Sequence, residues 1–420
     1  MLKRTALLLL LGLGLLRPHA AQEPPADWVD PDTGHRVLRL SSEPGSSTLY
    51  FHQNTYSPAG DKLIFASPSG IAGIDLAGLG RKPVQAEIIV PGGRAIAVAY
   101  KSREVYFTRA GANRAVFAAN LDTREIREVK NVQGTVINCD ETISGMTVNQ
   151  EDPFGKTPRP APRTILPQAQ RMFPGKKLED LTPEQRFAAQ KEDGLAARLA
   201  NPACQAFVFT NLKSGTQQTV GYQYAWLNHL QFSPTDPNFL LYCHEGTWHE
   251  VDRIWTIRSD GSGQRLMHKR TMDMEIAGHE FWSYDGKTIW FDLQTPRSER
   301  FWLAGLNLAS GQEIRYQLER DWWSIHFNIS RDSKLFAGDG GDPTQVAFAK
   351  DGMWINLFRP QPDGTLQRER LVNMLKHNYV TSKGGVEPNV SITPDAKWIV
   401  FTGNIFGPRH VFAVEIAKTK

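Results

Sequence analysis

One phrase recurs along this chain. An aromatic or aliphatic residue is followed by Ser/Thr-Pro or Ser-x, then a turn with Asp or Gly, then a short hydrophobic strand. It reads "YSPAGDKLIF" from Tyr56, "FSPTDPNFLLY" from Phe232, "WSYDGKTIWF" from Trp282, "ISRDSKLFAG" from Ile329 and "ITPDAKWIVF" from Ile392. Two fainter copies are "VAYKSREVYF" from Val98 and "VINCDETISG" from Val136, and a strand pair such as "IAGIDLAG" or "VFAVEIAK" follows each copy, which makes seven units. Repeats of about 40 to 50 residues, each with four short strands, bury their sheet faces against one another, which predicts an all-β fold, a seven-bladed β-propeller. Apolar alternation, turn signals and the absence of long helical periodicity agree. A pair of β-sandwiches is the competing arrangement. The early stretch "HRVLRLSS" is positioned to complete the last blade and close the ring.

Residues 150–202 break the pattern. They are rich in proline and charge and then turn helical after "TPEQ", which resembles a capping box. We expect a partly helical insertion in the third blade, either a wall over one propeller face or a mobile surface loop. The N-terminus "MLKRTALLLLLGLGLLRPHAAQEPP" has Lys3 and Arg4, a short apolar run and small residues at Ala20-Ala21, which is signal-peptide order over 1–22. The run is too short to favour a membrane span, although a retained anchor is the alternative. The expectation is a single propeller domain over 23–420, periplasmic or secreted, with no stable membrane insertion after cleavage.

Formal charge is +4, from 48 basic and 44 acidic residues. That balance argues against a nucleic-acid partner and is compatible with an acidic small substrate. Cys139, Cys204 and Cys243 form no C-x-x-C pair, so neither a disulfide framework nor a thiolate zinc site is suggested; they are expected to pack as small buried hydrophobes.

Familiar catalytic motifs are absent. No nucleophile elbow or phosphate loop occurs, and in "HEGTWHE" His244 and His249 are five apart, one too many for a helical zincin site. What remains is polar residues in one phase of the repeat: His52 and Gln53, His229, His279, His326, and Glu387 with Asn389, each a few residues before a turn phrase. In a propeller such positions converge on the central axis, so these residues should line one funnel. Packing within a core or turn is the alternative for any single histidine. An imidazole near its natural pKa can act as a general base, and imidazole with carboxylate and amide oxygens suits a divalent metal such as Mn²⁺ or Ca²⁺. Arg253 can pair with a carboxylate or stabilise an enolate-like charge, or else form a structural salt bridge. Trp248, Trp255, Trp322 and Trp323 could stack on sugars or pack between blades.

The segments "WLNHLQFSP…CHEGTWHEVDRIW", "GHEFW…DGK", "WSIHFNISRD…AGDG" and "VEPNVSITPDAKWIVFTGN" together resemble the oligogalacturonate lyase family of seven-bladed propellers, and the opening "DWVDPDTGHRVLRLS" fits its start. The resemblance implies cleavage of an acidic, uronate-containing oligosaccharide by β-elimination. It implies that His279 is the catalytic base and that Arg253 is the catalytic arginine. It implies a divalent metal, Mn²⁺ ahead of Ca²⁺, at His326, with Glu387 and Asn389 standing where the family has two histidines. The family's glutamine falls near Gly384, which offers no side chain. His52, Gln53, His229, His244 and Trp323 are the expected substrate contacts. Two other classes stay open: a non-catalytic sugar-binding or scaffolding propeller, and a glycoside hydrolase using a pair among Glu245, Glu280 and Glu387.

Overall fold

The recurring turn phrase has a specific hydrogen-bonding job. In each clear copy but that of blade 4, the Ser or Thr hydroxyl donates to the Asp two to four residues on: Ser57 to Asp61, Ser283 to Asp285, Ser330 to Asp332 and Thr393 to Asp395, at 2.6–2.7 Å. The same oxygens accept the backbone N–H that starts the next strand, from Lys62, Thr288, Leu335 and Trp398. One short polar residue thus closes the hairpin that the hydrophobic strand continues.

The computed structural model describes residues 23–111, 115–164, 166–341, 353–379 and 384–418; the expected signal peptide at 1–22 lies outside the described residues. Seven antiparallel sheets follow one another as blades. Blade 1 has strands Lys62–Ser67, Gly70–Asp75 and Glu87–Pro91, with Tyr56 bridged to Leu63 on its inner side. Blade 2 runs from Gly93–Val98 outward to Ile126–Gln133, and blade 3 from Val136–Ile137 to Gln217–Tyr224. The innermost strands of blades 4 to 7 are Trp226–Phe232, Ile276–Trp282, Phe327–Ile329 and Ser391–Ile392.

The ring closes as expected. His35–Arg39 adds to the seventh blade beside His410–Lys418, with Leu38 opposite Ala413 and Arg39 opposite Phe412. Large aromatic residues seal the blade interfaces: Trp290 of blade 5 meets Phe336 of blade 6 edge-on at 4.8 Å. Gly305 lies beneath that indole, where a Cβ would come within 2.6 Å of the ring, so only glycine lets the tryptophan lie flat on its own sheet.

The insertion leaves blade 3 between Ile143–Asn149 and Cys204–Asn211 and carries helices Gln168–Met172 and Pro183–Ala200. The capping box at Thr182 and Gln185 is present, with proline in the first turn. The insertion packs against blade 4 and the loop that precedes blade 5. Arg198 lies 4.2 Å over Trp226, and Arg171 pairs with Glu250 and Asp273 at 3.1 and 2.8 Å. Among the described residues no helix is long and apolar enough to cross a membrane. All three cysteines are free and buried.

Candidate active site

Two innermost strands bend at the same place. His229 and His279 take φ of 50° and 48° inside register shifts, between Asn228 and Gln231 in blade 4 and between Gly278 and Phe281 in blade 5. Asn389, at φ 50°, precedes the innermost strand of blade 7. A bulge of this kind turns a side chain that would lie between sheets toward the axis. Left-handed backbone at a non-glycine residue costs on the order of 1 kcal/mol or more, and His and Asn tolerate it comparatively well.

The imidazoles converge. His279 and His326 have ring centroids 5.0 Å apart, His52 and His229 5.9 Å apart, and the Tyr50 ring stands 5.3 Å from His326 and 5.5 Å from His229. Burial, with His229 and His326 nearby, pushes the His52 imidazole well below its ordinary pKa, so it stays neutral.

Two of these histidines are backed by buried carboxylates that the sequence reading did not single out. His279 Nδ1 bonds Asp292 Oδ1 and His326 Nδ1 bonds Asp339 Oδ2, both at 2.8 Å and both thirteen residues apart in sequence. A signal was present, since H-x₁₂-D occurs in the same phase of two successive repeats. With Nδ1 committed, Nε2 of each ring is the reactive atom. His279 Nε2 has no hydrogen-bond partner among the described residues. His326 Nε2 is buried without one, and Glu387 Oε2 lies 3.8 Å away. Asn389 reaches the same place, but its Oδ1 accepts from the Phe51 N–H and its Nδ2 donates to the Glu387 carbonyl, leaving one lone pair on the amide oxygen.

Arg253 is 4% exposed. Its Nη1 donates to Glu245 at 2.9 Å and its Nε to Glu280 of the next blade at 3.0 Å, while Nη2 has no partner among the described residues. Burial favours its neutral form, but the surrounding Cys243, Glu280 and Glu245 raise its pKa well above the ordinary value. Burial would raise the Glu245 pKa; Arg253 and His229 overcome this and hold it below the usual carboxylate range. Glu245 is therefore ionised and is not the protonated acid that glycoside hydrolysis needs, and Glu280 is bonded to the arginine. Overall, one guanidinium stands among five carboxylates: Glu245, Glu280, Asp292, Asp339 and Glu387.

Two expected substrate contacts are corrected. His244 faces away from the funnel, with Nε2 on Gln223 at 2.8 Å and its ring stacked 4.6 Å from Trp255, because strand alternation sends it opposite to Cys243 and Glu245. Trp323 is 5% exposed and packs in the core near Phe301. Gln53 lines an axial cavity, where its amide accepts from the Tyr50 N–H and donates to the Ile96 carbonyl and keeps one lone pair and one N–H. That cavity, of about 90 Å³, continues along the innermost strands past the histidines, lined also by His52, Tyr100, Trp282 and Tyr284. It has no carboxylate, so the charged chemistry lies at the other end of the axis.

The insertion reaches the site. Trp248 donates its indole N–H to Glu245 and stands 6.2 Å from His279, and the Lys191 ammonium lies 5.2 Å over the Trp248 ring. The neighbouring residues are clamped, since Arg297 Nη1 contacts both Glu192 Oε1, at 3.2 Å, and His249 Nδ1, at 3.1 Å.

A family model described as oligogalacturonate lyase matches residues 177–419. An oligogalacturonide lyase of Pectobacterium atrosepticum is 25% identical over 227 residues, and an oligogalacturonate lyase of Dickeya dadantii is 27% identical over 229 residues. Each match covers 51% of this chain and 56% of the relative, so the chain spans about half the length of the curated relatives it matches. A solved oligogalacturonate lyase in complex with manganese aligns at TM-score 0.69 and 21% identity, and one from Vibrio parahaemolyticus at 0.68 and 19%. Both alignments cover 93% of this chain and 96% of the other, and they carry the seven-bladed fold.

Proposed function

The chain belongs to the oligogalacturonate lyase family, and on that premise we propose that it cleaves uronate-containing oligosaccharides by β-elimination. The observation that carries this reading is the His279 imidazole, tied through Nδ1 to buried Asp292 and open at Nε2, beside Arg253 with a free Nη2. Nε2 takes the proton from C5 of the uronate. Asp292 holds the ring in the tautomer that can accept it and stabilises the imidazolium that forms. Arg253 Nη2 pairs with the uronate carboxylate, where charge accumulates as C5 is deprotonated. The bond from C4 to the glycosidic oxygen then breaks, the leaving oxygen takes a proton from the imidazolium or from water, and a 4,5-unsaturated uronate remains at the new non-reducing end.

A divalent cation fits the residues present. The partnerless buried His326 Nε2 faces Glu387, and the Asn389 oxygen has one lone pair left. When bound, such an ion would supply positive charge beside the substrate carboxylate. A manganese-bound relative of the same fold makes Mn²⁺ the first ion to test.

The purified protein, incubated with di- and trigalacturonate, should give a rise in ultraviolet absorbance from the conjugated uronate, faster with Mn²⁺ or Ca²⁺ and abolished by a chelator. His279→Ala should lower the rate by about 10²–10⁴-fold. A flat trace with wild-type protein and every metal would refute elimination of galacturonate, and ligand-induced stabilisation without product would indicate a binding protein. Export belongs to the same proposal: N-terminal sequencing of the protein from a periplasmic or medium fraction should begin near residue 23.

A further inference from the structure

Blade 4 differs from blade 5 at the position behind the bulged histidine. Gly278 of blade 5 pairs with Asp292, the carboxylate behind His279. At the equivalent place in blade 4, Asn228 pairs with Cys243. The bulged histidine there, His229, therefore has a thiol at hand where His279 has a carboxylate. Glu245, two residues further along the same strand, points to the same side.

We propose that His229, Cys243 and Glu245 form a binding site for a thiophilic divalent ion such as Zn²⁺, separate from the oxygen-rich site at His326 and Glu387. One donor atom of each residue lies within 4.8 Å of the other two. His229 Nε2 is 3.4 Å and Cys243 Sγ 3.9 Å from Glu245 Oε2. Zinc bonds of about 2.0–2.3 Å in a tetrahedron set donors roughly 3.3–3.7 Å apart; the two contacts to Glu245 are within a few tenths of an ångström of that range, and closing the remaining edge between His229 and Cys243, within 4.8 Å, completes three corners. The fourth corner is left for water.

Charge supports the same assignment. Glu245 and Glu280 outweigh Arg253 by one negative charge. Binding Zn²⁺ releases the Cys243 proton to solvent, and the ion's two positive charges then cancel the thiolate and that excess. Arg253 uses Glu245 Oε1, whereas His229 and Cys243 face Oε2, so both can engage the carboxylate at once. Hard ions such as Mn²⁺ prefer oxygen donors, and the thiolate selects the softer metal. Occupancy would draw Glu245 and His229 together beside the arginine of the proposed elimination site, so a soft metal should inhibit. The site itself does not depend on that reaction being correct.

Co²⁺ titrated into the full-length mature protein tests this without an activity readout. A sulfur-to-cobalt charge-transfer band should appear in the near ultraviolet at one equivalent, displaced by Zn²⁺. Because one proton leaves, affinity should tighten about tenfold per pH unit below the thiol pKa. Cys243→Ser should lose the band, while Cys139→Ser, in blade 3, should keep it. No band in wild-type protein, or a band surviving Cys243→Ser, overturns the proposal. If Cys243→Ser does not fold, His229→Gln replaces it: weakened cobalt binding supports the site, and unchanged binding refutes it.

Discussion

At the scale of the residue, the site depends on where one side chain directs another. Asp292 is 2% exposed and its Oδ1 is bonded to His279 Nδ1. Asp292→Asn leaves the shape but lets the ring adopt the tautomer with the proton on Nε2, which cannot accept another. The expected result is a kcat lowered by about 10²-fold or more with KM little changed. An equal loss on KM alone would mean that Asp292 only shapes the pocket. The convergence of His52, His229, His279 and His326 was legible from their common phase in the repeat. The outward turn of His244 was not, because alternation separates it from Glu245 without saying which of the two faces the axis, and that is decided by Glu245 meeting Arg253. Trp323 was misread for a similar reason: a tryptophan before a propeller strand can face sugar or core, and neighbouring Phe301 decides which.

At the scale of the element, the insertion and the blade seams carry buried charge. Glu192 on the insertion helix is 3% exposed and pairs with Arg297. Arg297→Ala would leave that carboxylate and His249 without their shared donor, an expected loss of about 3–5 kcal/mol, to be read from denaturant melts. It should also loosen Lys191 from Trp248. His268, after the outermost strand of blade 4, sits between Glu275 and Glu313 of blade 5 at 2.7 and 3.0 Å. Burial would lower its pKa, but the two carboxylates more than offset this and raise it above the ordinary 6.5. Its bound proton therefore stabilises the fold fully below that value, and the contribution is lost as pH rises through the raised folded pKa. Despite burial, hydrogen bonds hold Glu275 and Glu313 below the ordinary 4.5, so their contribution is present above it and lost as pH falls through the lowered values. This seam should be strongest between about pH 4.5 and 6.5. His268→Gln should flatten the alkaline side of a stability profile measured by thermal melting, and an unchanged profile would count against the assignment.

At the scale of the molecule, the propeller is a closed ring whose last sheet borrows its outer strands from the N-terminal region. Val37, Leu38 and Leu40 are buried at that closure. Burying three such side chains stabilises by roughly 5–9 kcal/mol, comparable to the whole net stability of a domain. Deleting residues 23–42 should therefore abolish a cooperative melt, whereas a shortened chain that still melts sharply near the parent temperature would show that the ring holds without its closing strand.

The sequence by itself determined the number of blades, the closing strand, the third-blade insertion and the capping box, because each is written in local patterns: a turn whose hydroxyl and carboxylate bond each other, alternating apolar residues, a Thr-x-x-Gln helix start. It also put the histidines in one phase, and phase is what converges at a propeller axis. Only the tertiary structure decided which ring nitrogen is free, that Arg253 is held between carboxylates of two blades, that the insertion packs against blade 4, and that Cys243 occupies the place taken by Asp292 one blade on. Those outcomes depend on distances between sheets packed face to face, and no one-dimensional pattern contains such a distance.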